Sequence, residues 1–226
     1  MPSLADIVFP LRLSLQVAVL ATVGVAVVGL PLAYFLATRE FRGKGVVDVL
    51  VTLPLVLPPI VTGYYLVLLI GRNGVLGKAA SAMGLPAPQL MFTWQAAALA
   101  SFVIALPFTV KTAKAAFEDV DPALVATSYT LGRSELSTAF LVVAPLAIRG
   151  ILAGLILSFA RALGEFGATI MVAGNIQGQT NTMPLEIYNA VLFGDWRAAT
   201  FLVVVFTLVS AAFLLGANSL AKVVQW

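Results

Sequence analysis

Apolar positions run through this chain in long blocks, and polar residues are gathered in the intervals between them. A membrane-crossing helix needs about 20 consecutive, mostly apolar residues. Five stretches meet that length, approximately residues 11–37, 46–70, 93–117, 142–165 and 198–220. The fourth has the least distinct end, because its apolar character continues past Glu165 through FGATIMVAG. The pattern predicts an all-α integral membrane protein, with about five transmembrane helices forming one domain over residues 1–226.

One interval breaks the pattern in an informative way. Residues 118–145, EDVDPALVATSYTLGRSELSTAFLVVAP, are neither apolar throughout nor rich in loop residues. Asp121 is placed to cap a helix whose first position is Pro122, which lacks the N–H that a first turn leaves unpaired. Gly132 supplies the stop, Ser134 caps a second helix, and Pro145 is tolerated near the start of the next span. The reading is helix, glycine hinge, helix, with a connecting loop over residues 118–141. An amphipathic helix lying on lipid carries Lys and Arg on its polar face. PALVATSYTL has no charge, and Glu118, Asp119 and Asp121 precede it. Small residues at Ala126, Thr127 and Ser128 suit close contact with a protein surface, so the stretch reads as a docking element.

Composition narrows the class. Hydrophobic residues make up 61% and charged residues 10%, against roughly 45–50% and about 25% in soluble domains. The net charge is +3 and the pI about 9.4. The basic residues are scattered near span ends, which argues against nucleic acid as a partner and for lipid. Cysteine and histidine are absent, excluding disulfides, thiolate chemistry and the commonest zinc sites. No GxxxxGK[ST] loop, nucleophile–histidine pair or paired carboxylates in a polar cleft occur, so neither catalysis nor a bound cofactor is expected in this chain. The amino-terminal apolar run is too long for the core of a cleaved signal peptide, and is expected to be retained.

Lys and Arg set the orientation. TREFRGKG carries Arg39, Arg42 and Lys44 in a very short turn, and Lys111, Lys114, Arg133 and Arg149 surround the docking stretch. Both connections are expected on the cytoplasmic side. The amino terminus and residues 71–92 and 174–197 then lie outside and the carboxyl terminus inside. No internal repeat or inverted pair of broken helices is present.

Three features within or beside the spans are candidates for the translocation pathway. Pro54 and Pro58 in TLPLVLPPIVTGYY are four residues apart, hence on one helical face. They would form either a bent, partly hydrated pathway wall or a structural kink. Arg161 and Glu165 in SFARALGEFGAT are spaced to pair along a helix. Such charges are expensive at the bilayer centre, so the pair lines a pathway or gate, fixes helix register, or sits at the outer membrane edge. Gly164 and Gly167 beside them permit close helix approach. Beyond, GNIQGQTNTMPLEIYNAV begins as a polar loop and offers Pro184 as the first residue of a short helix, re-entrant or flat on the outer surface.

Taken together these segments resemble the permease subunits of type I ATP-binding-cassette importers. Their cytoplasmic signature is EAA, three residues, Gly, nine residues and Ile-x-Leu-Pro. Here Ala126, Thr127 and Ser128 fill the EAA slots, Gly132 the glycine, and Val142, Val143, Ala144 and Pro145 the closing set. Ala126 departs from the signature glutamate, so docking at that position would rest on shape and apolar contact. LPLVLPPIVTGYYLVLLIGRNG, ARALGEFGATIMVAGNIQGQTNTMPLEIYNAV and TREFRGKG are most similar to segments of molybdate permeases, with tungstate and sulfate relatives close by.

The resemblance implies a homodimer with one pathway on the two-fold axis, two cytoplasmic ATPase subunits that bind all the ATP, and an extracytoplasmic oxyanion-binding protein. It also implies a cytoplasmic coupling helix at the docking stretch, in a multi-pass protein of the prokaryotic inner membrane. A non-transporting scaffold and a secondary carrier are the rival classes; a secondary carrier would need no ATPase.

Overall fold

A computed structural model describes residues 4–86 and 89–223, and among these every regular element is helical. The architecture is built around α5, Trp94–Glu118, which buries Ala96, Ala97, Ala100, Ala105 and Ala113 along its length. Small side chains on so many faces let several helices approach one axis, which is how membrane helices gain packing contact. The long first helix α1, Leu4–Thr38, lies against α5 through Ala18, Ala21, Val25 and Ala33, all buried. On the other side crosses α9, Ile148–Leu163. There a Cβ on Gly154 would lie 2.2 Å from Thr112 Oγ1, and one on Gly150 2.3 Å from Ala116 Cβ. The same crossing is tied by buried hydroxyls: Ser158 Oγ donates to the Ala105 carbonyl at 2.8 Å and meets Thr109 Oγ1 at 2.8 Å.

Two of the five expected spans are rearranged. Residues 46–70 are not one helix but α2, Lys44–Val56, and α3, Pro59–Ile70. Leu57 and Pro58 between them are extended, with ψ of 140° and 136°. Pro54 therefore lies within α2 while Pro58 caps α3, and the two do not share a helical face. The cause is Pro59. Two consecutive prolines remove two helical donors, and each disfavours the α conformation in the residue before it. The apolar stretch long enough to cross a membrane is instead residues 59–82, α3 with α4, Val75–Ala82.

The fourth expected span, 142–165, is also composite. It is preceded by α6, Pro122–Thr130, and α7, Glu135–Thr138, then a π-helical turn over Ala139–Val143 and α8, Ala144–Leu146. The axis bends by 77° before α9 begins. Pro145, with no N–H to offer the carbonyl four residues back, sits next to the π turn. At 16 residues, α9 spans about 24 Å at 1.5 Å per residue. The short α10, Gly167–Ala173, follows after a break.

Among the described residues four stretches, Ile7–Thr38, Pro59–Ala82, Trp94–Glu118 and Trp196–Ala217, are long and apolar enough to cross a membrane, and the bent pair makes a fifth if it is counted as one span. After α11, Met183–Leu192, the last helix α12, Trp196–Val223, is the most peripheral of these.

Candidate functional site

The docking stretch folds as its sequence pattern predicts. Asp121 Oδ1 accepts the Ala123 amide at 2.8 Å and starts α6 with Pro122 in its first turn. Gly132 ends it at φ 78°, a conformation that disfavours any side chain. The Gly132 amide returns to Tyr129 O and the Arg133 amide to Ser128 O, the two bonds of a Schellman stop. Ser134 Oγ then accepts the Ser137 amide to open α7. The two helices are joined side to side as well, because Ser128 Oγ and Thr138 Oγ1 form a buried hydrogen bond of 2.8 Å. Of the three signature slots, Ser128 is thus turned inward, while Ala126 and Thr127 are exposed; Pro145 is exposed too. The outer surface is apolar, with Leu131, Leu136 and Phe140 exposed by 76%, 72% and 72%.

At the far end of α9 the charged pair is in place. Arg161 Nη2 lies 2.7 Å from Glu165 Oε2, although Glu165 is beyond the helix end rather than on it. Oε2 sits off the line of the guanidinium N–H bonds, so this contact is ionic rather than a directed hydrogen bond. The other oxygen, Oε1, accepts the Ala168 amide at 2.7 Å and secures the first turn of α10. Glu165 is 2% exposed, and Arg161 retains a partly open face. Of the flanking glycines, Gly167 is a true close approach, its Cβ position 3.0 Å from Pro59 Cβ. Gly164 meets nothing nearer than 3.8 Å.

The segments predicted to share the outer side meet at the opposite end of the bundle from the docking stretch. Phe9, Arg12, Phe92, Thr93, Gly178 and Thr180 line one cavity of about 460 Å³. Phe92 adopts φ 61° and its amide bonds to Val172 O at 2.9 Å, so a left-handed aromatic residue is pinned at the rim. The GNI segment folds back on itself through Asn181, which accepts the Gly178 amide and donates to Glu186 Oε2. Its following helix α11 starts at Met183, one residue before Pro184, and docks on α1 where the Met183 amide bonds to Ser14 Oγ at 2.8 Å.

Residues 29–225 match the family described as binding-protein-dependent transport system inner membrane component. The chain belongs to this family. It is 42% identical over 180 residues to the molybdenum transport system permease protein ModB of Haemophilus influenzae, covering 79% of this chain and 77% of that one. The Escherichia coli K12 protein of the same name is 39% identical over 180 residues, with the same coverage. The putative molybdenum transport system permease protein YvgM of Bacillus subtilis is 39% identical over 193 residues, 85% of this chain and 84% of that one.

Among solved structures, a bacterial ABC transporter involved in import of the acidic polysaccharide alginate superposes with a TM-score of 0.81 at 18% identity, covering 98% of this chain and 80% of that one. The inward-facing MetNI methionine ABC transporter gives 0.72 at 16%, covering 96% and 95%. These likenesses show that the fold is that of a type I ABC importer permease, and membership of the inner membrane component family together with the long apolar helices makes the chain a multi-pass membrane protein.

The permease also holds charged contacts that no local pattern announces. Arg39 Nη2 reaches both carboxylate oxygens of Glu135, at 2.6 and 2.5 Å, joining the end of α1 to α7. Asp48 on α2 contacts Lys111 Nζ at 2.6 Å and Lys114 Nζ at 3.4 Å on α5. The partners are 96, 63 and 66 residues apart, and the only sequence signal was the clustering of charge near the same predicted membrane face.

Proposed function

We propose that this permease is the membrane-spanning subunit of an ATP-driven oxyanion importer, with molybdate as its substrate. The observation that carries the ATPase coupling is the docking stretch: a doubly capped helix pair with an exposed apolar face, at the end of the bundle where the basic connections gather. The substrate assignment is supported by relatives at 39–42% identity that are named molybdenum permeases. Tungstate and sulfate, tetrahedral dianions like molybdate, are the second reading.

In this reading the permease works as a homodimer with two cytoplasmic ATPase subunits and an extracytoplasmic oxyanion-binding protein. It has no catalytic site of its own, and ATP binds only to the ATPase partners. The amino terminus lies outside and the carboxyl terminus in the cytoplasm. Ala126, Thr127 and Gly132 face the ATPase. Ser128, bonded to Thr138, makes α6 and α7 move as one body, and movement passes through the π turn and Pro145 into α9. Arg161, at the other end of α9, presents a cation to the passing anion while buried Glu165 holds it in place. Pro54 and Pro58 belong to the wall that moves, with the break at Leu57–Pro58 as a hinge. Closure of the ATPase pair thereby rocks α9 and alternates access.

The test is uptake of labelled molybdate into vesicles holding the permease, with and without the ATPase and the binding protein. Uptake is expected only with both partners and ATP, and competition by tungstate and sulfate ranks the substrates. Uptake without the ATPase would support a secondary carrier. No uptake from an assembled complex would support a scaffold.

A further inference from the structure

The helix α2 is held unlike its neighbours. It starts after Gly43, at φ 97°, and ends at the extended Leu57–Pro58 break, so both ends are joints in the backbone. None of its residues is buried. Its apolar contact with the body comes from Val47 and Val51, packed beside the cluster that contains Val110 and Ala113. Its polar contact is Asp48, whose two oxygens are divided between two cations: Oδ2 at 2.6 Å from Lys111 Nζ and Oδ1 at 3.4 Å from Lys114 Nζ. The lysines stand three residues apart and therefore on one face of α5. Among the described residues Glu118 pairs with Lys114 alone, at 3.8 Å.

From this geometry we infer that Lys111 and Lys114 form a binding site for a divalent tetrahedral oxyanion, which the Asp48 carboxylate occupies in the present conformation. The inference rests on the reading of the chain as an oxyanion permease and assigns it an exit-side position. Asp48 offers two oxygens and a single negative charge to two ammonium groups. A divalent oxyanion offers an equivalent edge of two oxygens with twice the charge. Ammonium groups on flexible stems act as point charges and adapt to either. Because Asp48 rides on a hinged helix with no buried anchor, its departure uncovers both cations. Its return expels the anion beside the docking stretch. A conducting site has to bind strongly enough to admit its ion and weakly enough to release it, and a built-in competitor meets both needs.

The permease–ATPase complex, without the binding protein, is tested by equilibrium binding of labelled molybdate and sulfate. Asp48→Asn is expected to tighten binding about fivefold, the scale of one partly exposed charge pair. Asp48→Glu, which keeps a competing carboxylate, is expected to give a smaller gain than Asp48→Asn. Lys111→Gln with Lys114→Gln is expected to erase the Asp48→Asn gain. No gain in an assembled Asp48→Asn complex, or a gain that survives loss of both lysines, overturns the site. If Asp48→Asn does not assemble, uptake by the double lysine variant decides. A severalfold loss restored by Arg at both positions supports the site, and a wild-type rate overturns it. Absence of ATP-driven uptake by the wild-type system counts against the permease reading, whereas unchanged Asp48→Asn binding beside normal wild-type uptake counts against this site alone.

Discussion

Glu165 shows how one side chain can hold two elements. It is almost fully buried, with one oxygen on the Ala168 amide and the other beside Arg161. Removing one member of a buried ion pair strands the other, at about 3–5 kcal/mol when both are fully enclosed. Arg161 is 28% exposed, so the stranded charge is not fully enclosed and about 2 kcal/mol is expected here. Glu165→Gln keeps an acceptor for the Ala168 amide and loses the charge. Glu165→Ala loses both. Thermal melting of the purified protein in detergent should therefore rank wild type above Gln above Ala, with molybdate uptake impaired in both variants. A Gln variant equal to wild type in melting and uptake would mean that the Arg161 contact carries neither stability nor transport.

Between elements, the crossing of α5 and α9 is decided by glycine rather than by large apolar side chains. Gly154→Ala places a Cβ 2.2 Å from Thr112 Oγ1 and 2.9 Å from the Thr109 backbone. Overpacking of this kind typically costs about 1–3 kcal/mol, so a clear fall in melting temperature is expected. Gly216→Ala in α12 meets nothing within 4 Å, and gains helix propensity of up to about 1 kcal/mol. A Gly154→Ala variant that melts like wild type would mean that the crossing tolerates a Cβ at this position.

The same contrast explains what could be read from the sequence. The docking stretch was legible to the residue, because Asp121, Pro122, Gly132 and Ser134 act on backbone within a few positions of themselves. That the chain carries four or five long apolar helices was legible from apolar length, whereas the bounds of the second were not. The break at Leu57–Pro58 was not legible from the four-residue spacing of Pro54 and Pro58, which assumes one continuous helix and leaves out Pro59. The 77° bend was not legible, since apolar length does not reveal a change of axis. The Asp48–Lys111 contact lies beyond any local rule, because tertiary packing alone brings α2 to α5.

For the whole molecule, exposed apolar side chains fall into two kinds of place. Val46, Val49, Leu50 and Val56 on α2, with Leu208 and Leu215 on α12, lie on helices drawn from the predicted spans, where an apolar surface suits a lipid environment. Leu131, Leu136 and Phe140 instead share a short stretch with Arg133, Ser134 and Glu135, and the Arg39–Glu135 pair lies beside them. An exposed apolar patch rimmed by charge marks an interaction site, and its place beside the docking helix makes the ATPase the partner to test. Leu136→Asp tests this at the level of assembly. The side chain is 72% exposed, so the isolated permease should fold and melt as wild type. Burying a leucine side chain contributes about 1.5–3 kcal/mol, roughly tenfold to a hundredfold in affinity. Co-purification of the ATPase with the Leu136→Asp permease should therefore fall sharply, and ATP-driven uptake with it. Full co-purification and normal uptake would place the ATPase elsewhere on the molecule and leave the patch on α7 without a role in coupling.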